Sequence, residues 1–515
     1  MEGRTAVNHP AIDLAFQTIG LGKQAIVFVD TKQGAEKAAE DIARRIGQGS
    51  QQELALRLLN ATSAPTRQCK RLAACAKHGI AFHHSGLLPK QRHLIEQAFR
   101  DGTVKVICAT TTMAYGIDTP AFRVIMRSLK RFSGSWGADW IPTLEYHQMA
   151  GRAGRPKFHD THGEAIAIAK SEAEQHEIEE RYIFGRPEPM ESKLAVEPVL
   201  RTYILSLIAT GFVRTGQQIS GFFARTFWAH QYKDQEKLGK ILERMLALLG
   251  QWGFIQTTHG GFVSAADLGK ETPFAATLLG RRVAELYIDP LSAHQLITGL
   301  QNTRKNAPTP FALLQLISSA LEMRPLLHLG AKDHDAVQAA LLEHYHELLM
   351  AEPSTYDPAY DDFLNSIKTA RFFEEWIDEK GEDKLLEAYR IRPGEIHSKR
   401  GRAEWLLYAM EQLAPFLKLH DAIKELRKLR VRVQYGVREE LLPLLRFEGV
   451  GRVRARRLYR AGLKDIGDLK KADVALLARV IGKKTAESVK KQLGQEAEQV
   501  PSGRRKGQLG LGKFE

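Results

Sequence analysis

Residues 145 to 156 of the 515-residue chain read EYHQMAGRAGRP, with Arg152 and Arg155 three apart behind Gly151 and Gln148. Guanidinium groups are planar, permanently charged donors suited to charge developing on a transferred phosphoryl group, and glycine lets the backbone approach it closely. A solvated basic loop after a helix would explain this string if it stood alone. Upstream, however, lies CATTTMAYGIDTPAFRVI, in which an apolar run ends in Thr110, Thr111 and Thr112 and continues to Gly116 and Asp118. Hydroxyls and backbone N–H groups at the end of a parallel strand are placed to bind phosphate at the carboxyl edge of the sheet. The two strings together predict a phosphate-handling edge.

The elements that must position these groups follow from the apolar pattern. Short apolar runs AIVFVD, IAFHH, VKVIC, FRVIM and EAIAIA alternate with helix-patterned stretches over 33 to 46 and after Pro89. Continuous apolar strands separated by helices require a parallel sheet covered on both faces, so residues 1 to 190 read as one α/β domain. Residues 191 to 285 offer helices followed by WGFIQTTHGGFV, two short β-like pieces around a glycine turn, which suits a winged helix. From 286 to 430 nearly everything is helix-patterned, with breaks at Pro308, Pro325, Pro353 and Pro393, and a helical bundle is expected. Residues 431 to 495 are rich in Arg and Lys around two glycine-centred turns, and 496 to 515 form a polar tail. The predicted fold class is therefore multidomain.

Composition sets the partner class. The chain carries 74 Lys and Arg against 60 Asp and Glu, a formal charge of +14, which favours a polyanion such as nucleic acid. Three cysteines without paired spacing imply neither a disulfide framework nor a zinc site. The adjacent His83 and His84 point to opposite faces of a strand, and no metal site is expected. No apolar run approaches the length of a membrane span, so a soluble, cytoplasmic protein is expected.

The strings QMAGRAGR and TTTMAYGID resemble motifs VI and V of superfamily 2 helicases, and the sequences around them are similar to the archaeal Hjm-type DNA helicases of the Ski-like group. The resemblance runs from about Gly22 to the chain end. It implies a second RecA-like lobe, a winged helix, a ratchet bundle and a helix-hairpin-helix. It also implies that Arg152 and Arg155 face ATP, that Gln148 meets the phosphates or attacking water, and that Gly116, Asp118 and Gly151 couple nucleotide to strand. Relatives often carry Asn where Asp118 stands. A helicase of this kind holds ATP and Mg²⁺ mainly on a first lobe with GxxxxGK[ST] and a DExH box, and neither motif occurs here. That lobe is expected on another polypeptide. The resemblance further implies 3′-to-5′ travel on DNA in fork repair or recombination, with forked and single strands as substrates.

Other strings take roles from the same resemblance, each beside a plainer reading. KRFSGSWGADWIPT suits a projecting hairpin, with Phe132, Trp136 and Trp140 as strand-separating wedges or as surface loop residues. DDFLNSIKTARFFEEWIDEK would be the ratchet helix, with Trp376 stacking on bases beside Lys368 and Arg371, or else a core stripe; Phe373 reads as core. Gly449 and Gly451, followed by Arg452 and Arg454, and Gly482 would free helix-start N–H groups for phosphates. In the tail, Gln508, Leu511 and Phe514 recur every three residues, a spacing that resembles the motif by which replication proteins bind the PCNA sliding clamp. A non-enzymatic DNA- or RNA-binding adaptor derived from such a helicase is the alternative reading.

Overall fold

A computed structural model describes residues 9–47, 49–62, 64–115, 119–132, 138–154, 160–257, 273–304 and 308–495. The chain divides into two compact units, one formed by residues 1–191 with 382–398, the other by 192–381 with 399–515. The region expected as one bundle over 286–430 is thus interrupted. Its residues 382–398 pack with the α/β domain, because Arg392 and Gly394 find hydrogen-bond partners there that no helical periodicity announces.

In the first unit the strands are β1 (Ala25–Phe28), β2 (Ile80–His83), β3 (Val106–Ala109), β4 (Arg123–Met126) and β7 (Glu164–Ala167). They form a wholly parallel sheet in the order β2-β3-β1-β4-β7, with Ala25 paired to Val106 on one side and Arg123 on the other. Every residue of β1 through β4 is buried, as the uninterrupted apolar runs predict. Helices α1 (Pro10–Gly20), α2 (Lys32–Ile46), α3 (Gln52–Leu59), α4 (Arg67–Lys77), α5 (Pro89–Arg100), α6 (Thr143–Ala150) and α7 (Glu172–Ile178) connect and cover it. α2 shows why: Ala35, Ala38, Ala39, Ile42 and Ala43 recur on its inner face, and the Thr31 hydroxyl accepts from the Gly34 N–H to cap its start. A two-stranded hairpin, β5 (Lys130–Phe132) with β6 (Ala138–Trp140), rises from the segment between β4 and α6.

The second unit opens with α8 (Glu197–Ala209), α9 (Gly216–Phe223), α10 (Phe227–Tyr232) and α11 (Gln235–Gln251), then β8 (Ile255–Thr257) paired antiparallel with β9 (Phe274–Ala276). The predicted glycine turn and the β-like piece after it lie outside the described residues. Next come α12 (Leu278–Glu285), α13 (Pro290–Asn302), α14 (Pro310–Ser319), α15 (His334–His344) and α16 (Tyr360–Ile377). The chain continues with α17 (Glu382–Ala388), α18 (Pro393–Leu413) and α19 (His420–Tyr435). Four short helices, α20 (Arg452–Arg460), α21 (Ile466–Lys471), α22 (Val474–Ile481) and α23 (Lys483–Gln492), close the chain around their own apolar core of Leu458, Leu469, Leu477 and Val489. Among the described residues no helix is long and apolar enough to cross a membrane.

Candidate nucleotide and nucleic-acid interface

β3 ends at Ala109, and the chain turns at once into a short 3-10 turn over Thr111–Ala114. Thr110 stands at its start, mostly buried, its amide donating to the His83 carbonyl at 3.3 Å and its hydroxyl 3.0 Å from that of Thr112. Thr112 is exposed and Thr111 half-buried, so this strand end offers hydroxyls to solvent. α6 carries Gln148, exposed, and ends at Gly151. The Arg152 guanidinium then reaches back to the Ala114 carbonyl, with Nε at 3.2 Å and Nη2 at 2.5 Å. The two phosphate-directed strings are thereby tied: the arginine of one holds the turn of the other. The backbone repeats the tie, with the Ala121 amide donating to the Arg152 carbonyl at 2.9 Å and Gly154 to Ala121 at 2.7 Å. Gly163, just before β7, approaches so closely that a Cβ there would lie 2.2 Å from the Gly154 nitrogen, so only glycine fits. Arg155, Gly116, Asp118 and Trp136 lie outside the described residues, as do Gln508, Leu511 and Phe514.

The same edge holds a site that sequence reasoning missed. A cavity of about 360 Å³ is lined by Thr31, Gly34, Lys37, Arg127, Ser128 and Lys170, together with Asp30 and Gln33. Each comes from the segment beyond β1, β4 or β7, with Lys37 in the second turn of α2. Lys37, Arg127 and Lys170 have no carboxylate in salt-bridge distance among the described residues, so three cations converge beside the amino end of α2, an arrangement suited to phosphate. The available signal was position: each of these segments follows the carboxyl end of a parallel strand.

Behind this edge lies a buried electrostatic cluster. Glu36 of α2 is only 3% exposed, and accepts from Gln68 at 2.7 Å, from Arg71 at 2.6 Å and from Arg392 at 3.0 Å, with His84 Nε2 at 3.3 Å. Burial by itself would push this carboxyl up, but the bonds from His84, Arg392 and Gln68 outweigh it and hold the group well below the usual carboxylate range. Burial lowers the His84 pKa. His83, on the opposite face, pairs with Glu96 at 2.9 Å. Among the described residues no group of three metal-ligating side chains occurs.

The hairpin base fixes one proposed wedge in place. Trp140 packs edge-on against Tyr182, with Lys130 Nζ 4.2 Å above its ring, so it anchors the hairpin instead of projecting from it.

In the second unit the structure corrects the expected ratchet face. Trp376 is 6% exposed, its indole N–H donates to the Val433 carbonyl at 2.8 Å, and the Arg452 guanidinium lies 4.8 Å from its ring centroid. Gly436, at φ +66°, is pressed so near the ring that a Cβ would lie 2.5 Å from it. Lys368 is likewise buried, its ammonium donating to Asp333 at 2.8 Å and to the His328 carbonyl at 2.6 Å. Both side chains are engaged within the protein, because α19 and the glycine after it cover Trp376 while the segment before α15, with His328 and Asp333, covers Lys368. Phe373 is fully buried. Arg371 stays partly exposed, donating to the Ala336 carbonyl at 2.9 Å. Arg452 is engaged too, donating to the Lys380 carbonyl at 2.9 Å, and Arg456 bridges Glu379 and Glu440. Arg454 is exposed, its guanidinium donating to the Gly449 carbonyl at 2.7 Å. Gly449 and Gly482 adopt φ of +82° and +90°, and Gly451 starts α20.

A parallel five-stranded lobe with a threonine string beyond the carboxyl end of one strand, an arginine string tied to it and a hairpin inserted before α6, followed by a winged helix, a helical bundle and a helix-hairpin-helix, defines the second RecA-like lobe of a helicase with its accessory domains. Residues 11–157 match the helicase conserved C-terminal domain, 311–436 the archaeal helicase domain 4, and 441–495 the SAM-like helix-hairpin-helix tandem. The ATP-dependent DNA helicase Hel308 of Methanocella arvoryzae is 37% identical over 498 residues, covering 95% of this chain and 65% of that protein. Its counterpart in Pyrococcus horikoshii is 36% identical over 511 residues, covering 98% of this chain and 68% of the relative. The chain belongs to the Hel308 helicase family. It spans about two thirds of the length of the curated relatives it matches.

Proposed function

We propose that this chain forms the carboxyl-terminal part of an ATP-dependent DNA helicase moving 3′ to 5′ in fork repair or recombination. ATP and Mg²⁺ are held mainly by a P-loop lobe that these residues do not contain. One observation carries the reading: Arg152, from the string directed at ATP, grips the carbonyl of Ala114 in the turn that bears Thr111 and Thr112. A change felt at the arginines is thereby passed to a strand-facing turn. Arg155 supplies the second guanidinium and Gln148 orients water or phosphate, while Gly116, Asp118 and Gly151 allow the close approach. Thr110 to Thr112, with the Lys37, Arg127 and Lys170 cavity, take backbone phosphates. Trp136 acts on the nucleic-acid strands, and Arg371 and the Gly449–Arg454 turn add contacts to the nucleic acid. The helix-hairpin-helix and the relatives named DNA helicases favour DNA over RNA. The tail residues Gln508, Leu511 and Phe514 bind a PCNA-type sliding clamp.

The test is DNA-stimulated ATP hydrolysis by the chain alone and after mixing with a P-loop, DExH-bearing lobe of a family member. No turnover is expected alone. Activity should appear on mixing and fall by about 10³-fold or more with Arg155→Ala, the scale of an arginine finger, while DNA affinity is kept. Robust turnover by the pure chain would refute the division of labour.

A further inference from the structure

Five residues other than glycine, among those described, adopt a left-handed backbone, and Tyr287 is the aromatic one, at φ +56°. It follows α12 in the position where helices usually place glycine, since a Cβ there is strained by about 1 kcal/mol. The residue is 81% exposed, and its side chain has no aromatic, cationic or hydrogen-bonding partner among the described residues. The residues on either side leave no choice of path. Leu286 is buried and its carbonyl accepts from the Trp405 indole N–H at 3.1 Å; Ile288 is buried; Asp289 is held by Arg201 at 2.9 Å and caps α13. The backbone is pinned in a strained conformation that holds one flat ring out in water.

We infer that Tyr287 is a stacking platform for a base of single-stranded nucleic acid. This rests on the nucleic-acid reading above and adds to it a residue on the second unit. A protein-docking face needs a contiguous apolar patch of several hundred Å², whereas both chain neighbours of Tyr287 are buried, so this stretch of chain offers one ring. One ring is the size of one base, and stacking accepts any sequence, as a translocating protein requires. Arg281, exposed and without a carboxylate partner among the described residues, stands on α12, the helix that leads into Tyr287, and adds a cation suited to phosphate.

The experiment uses the full chain with oligo(dT), by fluorescence anisotropy, together with photocrosslinking to oligo(dT) bearing 5-iodouracil. Tyr287→Gly should weaken affinity about five-fold or more, the low end for one stacked base, without lowering the melting temperature, since glycine suits the left-handed position. Tyr287→Phe should retain affinity, and the crosslinked peptide should contain Tyr287. If wild-type chain fails to bind oligo(dT), the nucleic-acid reading falls and this inference with it. If wild type binds but Tyr287→Gly binds equally and no crosslink maps there, only this inference falls. Tyr287-dependent capture of a P-loop lobe in the absence of DNA would overturn it in favour of a protein contact.

Discussion

The carboxyl edge of the first unit and helix α16 of the second both carry predicted ligand contacts, and the structure treats them in opposite ways. Beyond the end of β3, Thr112 lies at the surface, and the Arg152 side chain, from the loop after α6, reaches the Ala114 carbonyl of the same turn. On α16, Trp376 and Lys368 are inside, each hydrogen-bonded to the protein. A parallel strand ends at its carboxyl edge by construction, so a polar residue one or two positions beyond it is delivered to that edge whatever surrounds it. A helix has no such privileged end along its length. Which of its faces meets water depends on every neighbour, and α16 runs between α14, α15 and α19.

Trp376→Ala is the sharpest way to break this contrast. If the residue is core, truncation should cost about 3 to 5 kcal/mol in urea unfolding of the second unit, the range for a buried large aromatic. Stability unchanged with DNA affinity lost would restore the exposed stacking role and erase the distinction. Glu36→Gln probes the opposite region, where the charge lies beneath the edge. Breaking a fully buried ion pair costs about 3 to 5 kcal/mol, and because Arg71 and Arg392 are partly exposed a loss of about 2 kcal/mol is expected by thermal unfolding of the first unit.

The same cluster sets a pH dependence. His84 and Glu36 both have depressed pKa values in the folded chain, so the unfolded chain binds more protons. Stability should be full at neutral pH, begin to fall below about 6.5, where an unfolded histidine protonates, and fall further below about 4.3, where an unfolded glutamate does. Melting curves of wild type and His84→Gln measured between those limits would separate the two groups. A flat profile would show that the cluster is not a titrating unit. The smallest effect is expected from Arg454→Ala. It should leave unfolding unchanged and reduce the salt slope of single-strand binding by about 0.7, the contribution of one phosphate. A loss of stability there would mean that Arg454, like its neighbours Arg452 and Arg456, belongs to the internal packing.

Several features were decided by the sequence alone. The five apolar runs became the five parallel strands; for β1 to β4 the reason is that a strand buried on both faces is written almost wholly in apolar residues, whereas β7, at the sheet edge, is only partly covered. The QMAGRAGR and TTTMAYGID strings were legible as a pair because their residue chemistry is local, and the structure ties them through Arg152 and the Ala114 carbonyl. Tertiary structure decided the rest, wherever a residue's role depends on what covers it. The convergence of Lys37, Arg127 and Lys170 needs three loops far apart in the chain to meet. The return of Arg392 to Glu36 spans more than three hundred residues and has no periodicity to betray it. Trp376 was legible as an amphipathic helix's aromatic, but only the packing of Gly436 and Arg452 against its ring made it core. Periodicity shows that a helix has two faces; which face is dry is fixed by the contacts that other segments make with it.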